Sequence, residues 1–369
     1  MNNSLSSSKI DSLLKINPYS LSKNEKQVHL MDAIKENIKF QFSNSKEYKK
    51  YCDKKSFDPN SSYNFESIPF LPVTLFKKID LLSVPRDQIV KVVRSSSTTG
   101  NLPSVINLDK ITSTRQILAL NSILQNFLGM KKKHFIILDA EKTIDTRDQN
   151  LSSRGSAIRG ILSFSKSFNF ILDENLEINL DSLKKSLSNI DFSNTCIFGF
   201  TWLIYQIISK NYDDSDIKEI FKKFDNPTIL HIGGWKKLQE KSISKNEFNL
   251  ISSKFFNTKN KIIDFYGMTE QLGVVFPDCE EGYKHVPNFA EIIIRDTKTL
   301  NPQLFNQPGF IQIISPIPNS YPGISLLTDD IGEILGEDDC SCGRKGKYFI
   351  FKSRSEVADP KGCGDTLDL

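Results

Sequence analysis

Long apolar runs are missing from the 369-residue sequence. The most apolar stretch, Ile197 to Ile208, is interrupted by a glycine and two polar residues, whereas a membrane-spanning helix needs roughly 18 apolar residues in a row. The first residues also lack the charged head and apolar centre of a secretory signal. We therefore expect a cytoplasmic protein with no membrane span.

Charge of one sign does not dominate either. The sequence holds 48 Lys and Arg against 44 Asp and Glu, a formal net charge of +4. Nucleic-acid-binding domains usually carry a clear basic excess on one face. We therefore predict no nucleic-acid partner.

Cysteine is also sparse, with six residues in the chain. The 38% hydrophobic content suffices for an ordinary core, so no disulfide framework is needed to stabilise it. Four of the six cysteines nevertheless fall after residue 278, and this uneven placement suggests a specific role for them.

The N-terminal part has a helical pattern. Residues 1–60 are rich in Lys, Asn and Ser, and Leu30, Ile34 and Ile38 recur at helical spacing. This pattern predicts a helical cap over 1–60.

Beyond the cap, short β-branched runs alternate with amphipathic stretches over 61–284. That alternation predicts an α/β fold with a mostly parallel sheet. The predicted strands of this region are His134–Ala140, Asn194–Thr201, Asn226–Gly234 and Lys261–Glu270. Two further apolar runs in 285–335 predict a small antiparallel β subdomain, and 336–369 forms a C-terminal segment.

A hydroxyl-rich loop is the first chemical motif. It follows a β-branched run and consists of Ser95, Ser96, Ser97, Thr98, Thr99 and Gly100. Dense N–H and O–H donors suit polyphosphate binding, although an ordinary Ser/Thr surface linker has the same composition.

Two further motifs contain carboxylates, and the first of them lies at the end of a predicted strand. Tyr266, Gly267, Thr269 and Glu270 belong to the first of them, in which a hydroxyl and a carboxylate suit a phosphate and Mg²⁺ respectively. The second is the run from Leu327 to Gly332, whose carboxylates suit a ribose or a metal. Taken singly, the first is also compatible with a strand-to-loop transition that has a capping Thr, and the second with an Asp-rich turn.

In combination, these motifs resemble the adenylate-forming (acyl-CoA synthetase) superfamily, with Gly233 and Gly234 in the place of its adenine-facing glycines. A narrower likeness, to the acyl-protein synthetase (LuxE) family, rests on HIGGWKKL, YGMTEQLG, SYPGISLLTDDIG, CGRKGKYF and KGCGD. This resemblance implies the large domain of that fold, with mostly parallel sheets, a small antiparallel β subdomain and a strongly reduced C-terminal domain.

The resemblance also implies a reaction. A fatty or other carboxylic acid attacks ATP to give acyl-AMP, and the hydroxyl-rich loop holds the phosphates. Thr269 binds the α-phosphate, Glu270 binds Mg²⁺ and Asp330 binds the ribose. Gly233, Gly234, Tyr266 and Gly267 lie on the nucleotide side, and Arg354 belongs to the hinge region.

The family's acyl acceptor matches Cys363, which lies between two glycines. The resemblance implies that this thiol carries the acyl group as a thioester to an acyl-CoA-reductase-like partner, within the complex that supplies aldehyde to bacterial luciferase. The sequence departs from the superfamily at Ser97, where glycine is usual. It also lacks a lysine after Pro103 and has no clear counterpart of the adenylation lysine.

Cys279, His285, Cys340 and Cys342 form a candidate Cys₃His zinc set, comparable to a cluster in some phenylacetate–CoA ligases. The C-x-C spacing is tighter than the usual C-x₂-C, and a lone histidine is more often an ordinary hydrogen-bonding residue, so side chains that bind no metal are the alternative. Two other functions also remain open for the chain. One is a phenylacetate-type acid–CoA ligase with an incidental Cys363, and the other is a non-catalytic adenylate-binding scaffold subunit.

Overall fold

The computed structural model describes residues 8–95, 102–145, 150–188, 190–259 and 261–354. The chain forms two compact units. The first comprises Met1–Asn126, Asp148–Ser153 and Met268–Leu369, and the second comprises Phe127–Arg147 and Arg154–Gly267. These units do not coincide with the four segments named from the sequence, which stay a prediction.

The α-helices are α1 (Lys9–Leu13), α2 (Lys23–Asn44), α3 (Lys46–Lys54), α4 (Lys110–Leu128), α5 (Ser153–Leu162), α6 (Leu180–Ser186), α7 (Thr201–Asn211), α8 (Ser215–Phe221) and α9 (Lys245–Phe256). Among the described residues, no helix is both long and apolar enough to cross a membrane.

The strands are β1 (Leu71–Pro72), β2 (Ile89–Arg94), β3 (Val105–Asp109), β4 (Lys133–Ala140), β5 (Asn150–Ser152), β6 (Ser165–Leu172), β7 (Thr195–Phe200), β8 (Thr228–Ile232), β9 (Ile262–Gly267), β10 (Val275–Pro277), β11 (Lys284–His285), β12 (Glu291–Arg295), β13 (Gly309–Ile314), β14 (Ser325–Glu337) and β15 (Lys347–Arg354).

The first unit contains two sheets. In the larger one, β11, β15, β14, β13 and β12 are antiparallel neighbours in that order, and β1 runs parallel to β14. This confirms the antiparallel pairing expected of the two apolar runs after residue 285. The smaller sheet has the order β3-β2-β5. The long strand β14 carries the run from Leu327 to Gly332 through the middle of the larger sheet.

Helix α2 packs onto this unit through both apolar and polar side chains. Leu30, Ile34 and Ile38 are completely buried. The Asn37 amide donates hydrogen bonds to the carbonyls of Pro316 and Pro318 at 2.6 and 2.7 Å. Buried carbonyls in a proline-rich loop need donors from elsewhere, so α2 supplies what the loop's own backbone lacks.

The second unit is a parallel sheet in the order β6-β4-β7-β8-β9. Strand β7 is buried at every position, as expected of a central parallel strand covered on both faces. The α/β expectation is therefore confirmed. The order reverses between β4 and β7, and ligands of open parallel sheets bind beyond the carboxyl ends of the strands near such a point.

One strand of the second unit was absent from the sequence expectation. The edge strand β6 was missed because its first half is polar and largely exposed, which weakens the strand pattern. In the first unit, the apolar segment from Ser67 to Val84 contains the short β1 and then a 3-10 helix over Val73–Lys77.

Candidate functional site

Glu270 lies in a short 3-10 helix, Thr269–Gln271, in the first unit. The hydroxyl of Tyr321 donates a hydrogen bond to the backbone carbonyl of Glu270 at 2.8 Å. The Gln271 amide donates to the carbonyl of Gly323 at 2.6 Å. The acidic motif is therefore held by the loop that connects β13 and β14, with Thr269 half-buried beside it.

Glu270 is 8% exposed. Burial raises its pKa, and the nearby carboxylate of Asp329 acts in the same direction, while Ser104 and Lys77 oppose the shift. Burying a carboxylate is costly unless a cation or hydrogen bonds compensate. A divalent cation would supply that compensation, so this position fits the Mg²⁺ role implied by the resemblance.

The base of the hydroxyl-rich loop lies in the same unit. The Ser95 N–H donates to the carbonyl of Ser104 at 3.0 Å, and the Ser104 N–H donates to Ser95 Oγ at 2.7 Å. The Ser104 side chain also lowers the pKa of the Glu270 carboxylate. The base of the loop and the acidic motif are therefore neighbours. Ser96, Ser97, Thr98, Thr99 and Gly100 lie outside the described residues.

Ser104 is a residue that the sequence analysis missed. It is completely buried and follows Pro103 at the start of the return strand. Its signal was weak, because a serine after a proline in a Ser/Thr-rich stretch has no distinctive spacing.

Asp330 pairs in register with Arg354 across β14 and β15. The Arg354 guanidinium donates to both oxygens of Asp329 at 3.0–3.1 Å and lies 4.0 Å from Asp330. Burial lowers the pKa of Arg354, but Asp329, Asp330 and Glu270 together raise it. The structure thus brings Ser95, Glu270, Asp330 and Arg354 into one region of the first unit.

The nucleotide-side residues lie in the second unit. Gly233 follows β8 with φ +83, a conformation that favours glycine. A Cβ at Gly234 would meet nothing within 4 Å, which leaves the backbone open to a ligand. Tyr266 and Gly267 end β9, and all four therefore lie towards the carboxyl edge of the parallel sheet.

His231 lies within β8, close to these glycines. Its Nδ1 is 2.9 Å from the Thr201 hydroxyl and 3.5 Å from a carboxylate oxygen of Asp264. His231 is 5% exposed. The first residue of α7 and a residue of β9 thus hold the histidine in place, and we interpret it as a support for the glycine turn.

The four residues of the Cys₃His set converge in the first unit. Their ligand atoms all lie within 4.8 Å of one another. Cys279 and Cys340 have sulfurs 3.9 Å apart, and Cys342 Sγ is 3.2 Å from His285 Nε2. Tetrahedral zinc, with bonds of about 2.3 Å to sulfur and about 2.0 Å to nitrogen, requires separations of about 3.5–3.8 Å. The observed separations, from 3.2 Å to at most 4.8 Å, lie on both sides of this range, so the set is compatible with zinc.

Two tight turns and the burial of the set support the same interpretation. The Gly282 N–H donates to the Cys279 carbonyl, and the Gly343 N–H donates to the Cys340 carbonyl, at 2.8 and 3.0 Å. Burial raises the pKa of Cys279 to about 12 and lowers the pKa of His285 to about 4. Neutral imidazole is ready to bind a metal, whereas the thiols must release protons to it.

Cys363, the predicted acyl acceptor, lies outside the described residues. Its role stays a prediction of the sequence.

The fold is that of the adenylate-forming ligases. An open conformation of 2-hydroxyisobutyryl-CoA ligase, in complex with 2-HIB-AMP and CoA, has a TM-score of 0.70 at 13% identity, covering 91% of this chain and 76% of that one. The postadenylation state of the same ligase has a TM-score of 0.68, covering 91% and 69%.

The chain belongs to the acyl-protein synthetase (LuxE) family, whose sequence model matches residues 1–369. It is 24% identical to the long-chain-fatty-acid–luciferin-component ligase of Vibrio harveyi, over 98% of this chain and 93% of the relative. The same-named ligase of Aliivibrio fischeri is 25% identical over 90% and 86%. The resemblance found in the motifs is confirmed, and the chain is an enzyme of the ligase class.

Proposed function

We propose that this ligase activates a fatty acid with ATP, carries the acyl group on Cys363 and delivers it to an acyl-CoA-reductase-like partner. The observation that carries the proposal is the buried Glu270 carboxylate beside Ser104, at the base of the hydroxyl-rich loop. The named substrate of the relatives supports a long-chain acid. An ATP-consuming step also supports a cytoplasmic location.

In the first step, a carboxylate oxygen of the acid attacks the α-phosphorus of ATP. The bond to the β-phosphate oxygen breaks, and pyrophosphate leaves with that electron pair, so that acyl-AMP remains. Glu270 would hold Mg²⁺, which neutralises phosphate charge, and Thr269 would donate to the α-phosphate. Catalysis of this kind depends mainly on positioning and charge stabilisation.

Asp330 is the proposed ribose contact. Arg354 makes its close, two-point ion pair with Asp329 and is 4.0 Å from Asp330. The oxygens of the Asp330 carboxylate are hydrogen-bond acceptors, which suits contacts with ribose hydroxyls. Gly233 and Gly234 carry no side chains of their own, so the adenine would be able to approach their backbone.

In the second step, the thiolate of Cys363 attacks the acyl carbonyl and AMP leaves, giving a thioester on the protein. The flanking glycines give the backbone freedom to bring the sulfur to different sites. A thioester keeps the acyl group electrophilic, so a reductase partner can accept it.

We also propose a structural Zn²⁺ held by Cys279, His285, Cys340 and Cys342. Protein ligands occupy all four tetrahedral positions, which leaves no open position for substrate or water. The metal would therefore stabilise the first unit and take no part in the reaction.

Fatty-acid-dependent exchange of pyrophosphate into ATP tests the adenylation step. We expect exchange in the wild-type protein and its loss in Glu270→Gln, while the exposed Glu219→Gln serves as a matched control that keeps it. Absence of exchange with acids of any chain length would contradict the proposal and favour a scaffold subunit. Acyl transfer only to added CoA would favour an acid–CoA ligase.

A further inference from the structure

One lysine of the first unit acts on the Glu270 carboxylate and has no role in the chemistry above. Lys77 ends the 3-10 helix Val73–Lys77 and is half-buried. Its positive charge lowers the pKa of Glu270 against the effect of burial. Arg354 also interacts electrostatically with Glu270, but its guanidinium donates hydrogen bonds to Asp329.

Local packing fixes the position of this lysine. Leu71 and Pro72 pair in parallel with Leu326 and Leu327 of β14. This ladder ties the start of the segment to the strand that carries Asp329 and Asp330. Beyond it, the backbone N–H groups of residues 78 and 79 both donate to the carbonyl of residue 75 at 2.9 Å, so the turn around Lys77 is closed.

A second link connects the segment to the acidic motif. The ring of Phe76 packs edge-on against Tyr321, with centroids 5.8 Å apart at 89°. The hydroxyl of the same Tyr321 donates to the Glu270 carbonyl. Both rings are fully buried, so a single side chain bridges the residue before Lys77 and the backbone of Glu270.

The chemistry of the site calls for a cation here. Adenylation concentrates negative charge on the phosphates, and charge-assisted hydrogen bonds from lysine are a standard way to bind them. An ammonium beside a metal-binding carboxylate can reach phosphate oxygens that the metal does not bind. No lysine had been assigned to this task from the sequence motifs.

We propose that Lys77 binds a phosphate oxygen of ATP and stabilises the charge that develops as pyrophosphate leaves. The proposal rests on the ATP-dependent function above. It assigns a phosphate-binding role to a cation whose segment is linked to the backbone of Glu270 through Phe76 and Tyr321.

The test measures the affinity for MgATP by calorimetry in the absence of acid. Lys77→Met should weaken binding roughly 10- to 100-fold, the usual effect of losing a hydrogen bond to a charged group. Lys77→Arg should recover part of that loss, because it restores the positive charge. Lys78→Met removes the same charge from the adjacent, exposed position and should stay within about twofold of wild type.

A second measurement distinguishes binding from folding and from the wider proposal. Thermal unfolding of Lys77→Met and Lys77→Gln should match that of wild type. Wild-type affinity in both folded variants would overturn the role of Lys77. If wild-type protein binds MgATP but shows no acid-dependent exchange, the fatty-acid function fails while the affinity comparison still decides on Lys77. If wild-type protein does not bind MgATP, both proposals fail.

Discussion

The Tyr321 hydroxyl donates a hydrogen bond to the backbone carbonyl of Glu270 at 2.8 Å, and Tyr321 is 1% exposed. This bond joins the loop between β13 and β14 to the acidic motif. The same ring contacts Phe76, next to Lys77. The geometry of the proposed phosphate site therefore depends on a buried tyrosine.

Replacing Tyr321 with Phe should uncouple these elements. A buried carbonyl that loses its donor costs about 1–3 kcal/mol, so urea unfolding should show a loss of that order together with slower pyrophosphate exchange. Tyr212→Phe, at a position that is 41% exposed, is the matched control and should change neither quantity. Wild-type stability and exchange in Tyr321→Phe would show that the bond does not support the site.

Replacing Asp329 or Asp330 with asparagine should have different effects on nucleotide binding and stability. Asp330→Asn removes the proposed ribose acceptor and should raise the KM for ATP by about 10-fold or more, with a smaller effect on the KM for the acid. Asp329→Asn removes the two-point partner of Arg354 and should lower stability more than nucleotide affinity. The assignment is wrong if Asp329→Asn has the larger effect on the KM for ATP.

The buried carboxylate of Glu291 makes the stability of the protein depend on pH. Glu291 lies 3.5 Å from Lys26 Nζ and 3.0 Å from Lys347 Nζ, and also accepts the N–H of Ile292. Burial raises the pKa of Glu291, but the two lysines outweigh it and lower the pKa below its usual 4.5. A depressed carboxyl pKa contributes stability above that pH, which is lost as the pH falls further.

Glu291→Gln should therefore be destabilised at neutral pH by roughly 3–5 kcal/mol, because Lys26 and Lys347 are left without their shared partner. Its free energy of unfolding should also depend less on pH below 4.5 than that of wild type. Urea unfolding at a series of pH values measures both effects. Glu174→Gln, in an exposed ion pair, should behave like wild type, and identical pH dependence in Glu291→Gln would refute the assignment.

Zinc content is directly measurable in protein purified without a histidine tag. We expect one zinc per chain, lost in Cys340→Ser, with a lower unfolding temperature after chelation. Cys196→Ala alters a buried cysteine of the second unit and should keep the metal. Wild-type protein that contains no zinc would contradict the proposed zinc site.

The sequence predicted the parallel sheet of the second unit because β4, β7 and β8 are nearly continuous apolar runs. It could not predict the position of Lys77, since that depends on contacts of Phe76 and β1 with residues about 250 positions away. Such long-range packing leaves no periodic pattern in the sequence.

The Cys₃His set was partly predictable from the sequence. Its residue types and spacing were visible in the sequence, yet C-x-C alone did not decide the question. Only the fold brings Cys279 within 3.9 Å of Cys340, across a long separation in the chain. Cys363 stays a prediction from its motif, because it lies outside the described residues.

Incubation with radiolabelled fatty acid and ATP shows whether the enzyme acylates its own Cys363 from acyl-AMP. Self-acylation predicts ATP-dependent label on the protein that is released by neutral hydroxylamine, as a thioester requires, and is absent in Cys363→Ser. Pyrophosphate exchange should persist in that variant, because adenylation does not use the thiol. Equal labelling of Cys363→Ser and wild type, or label found only on added CoA, would contradict the account.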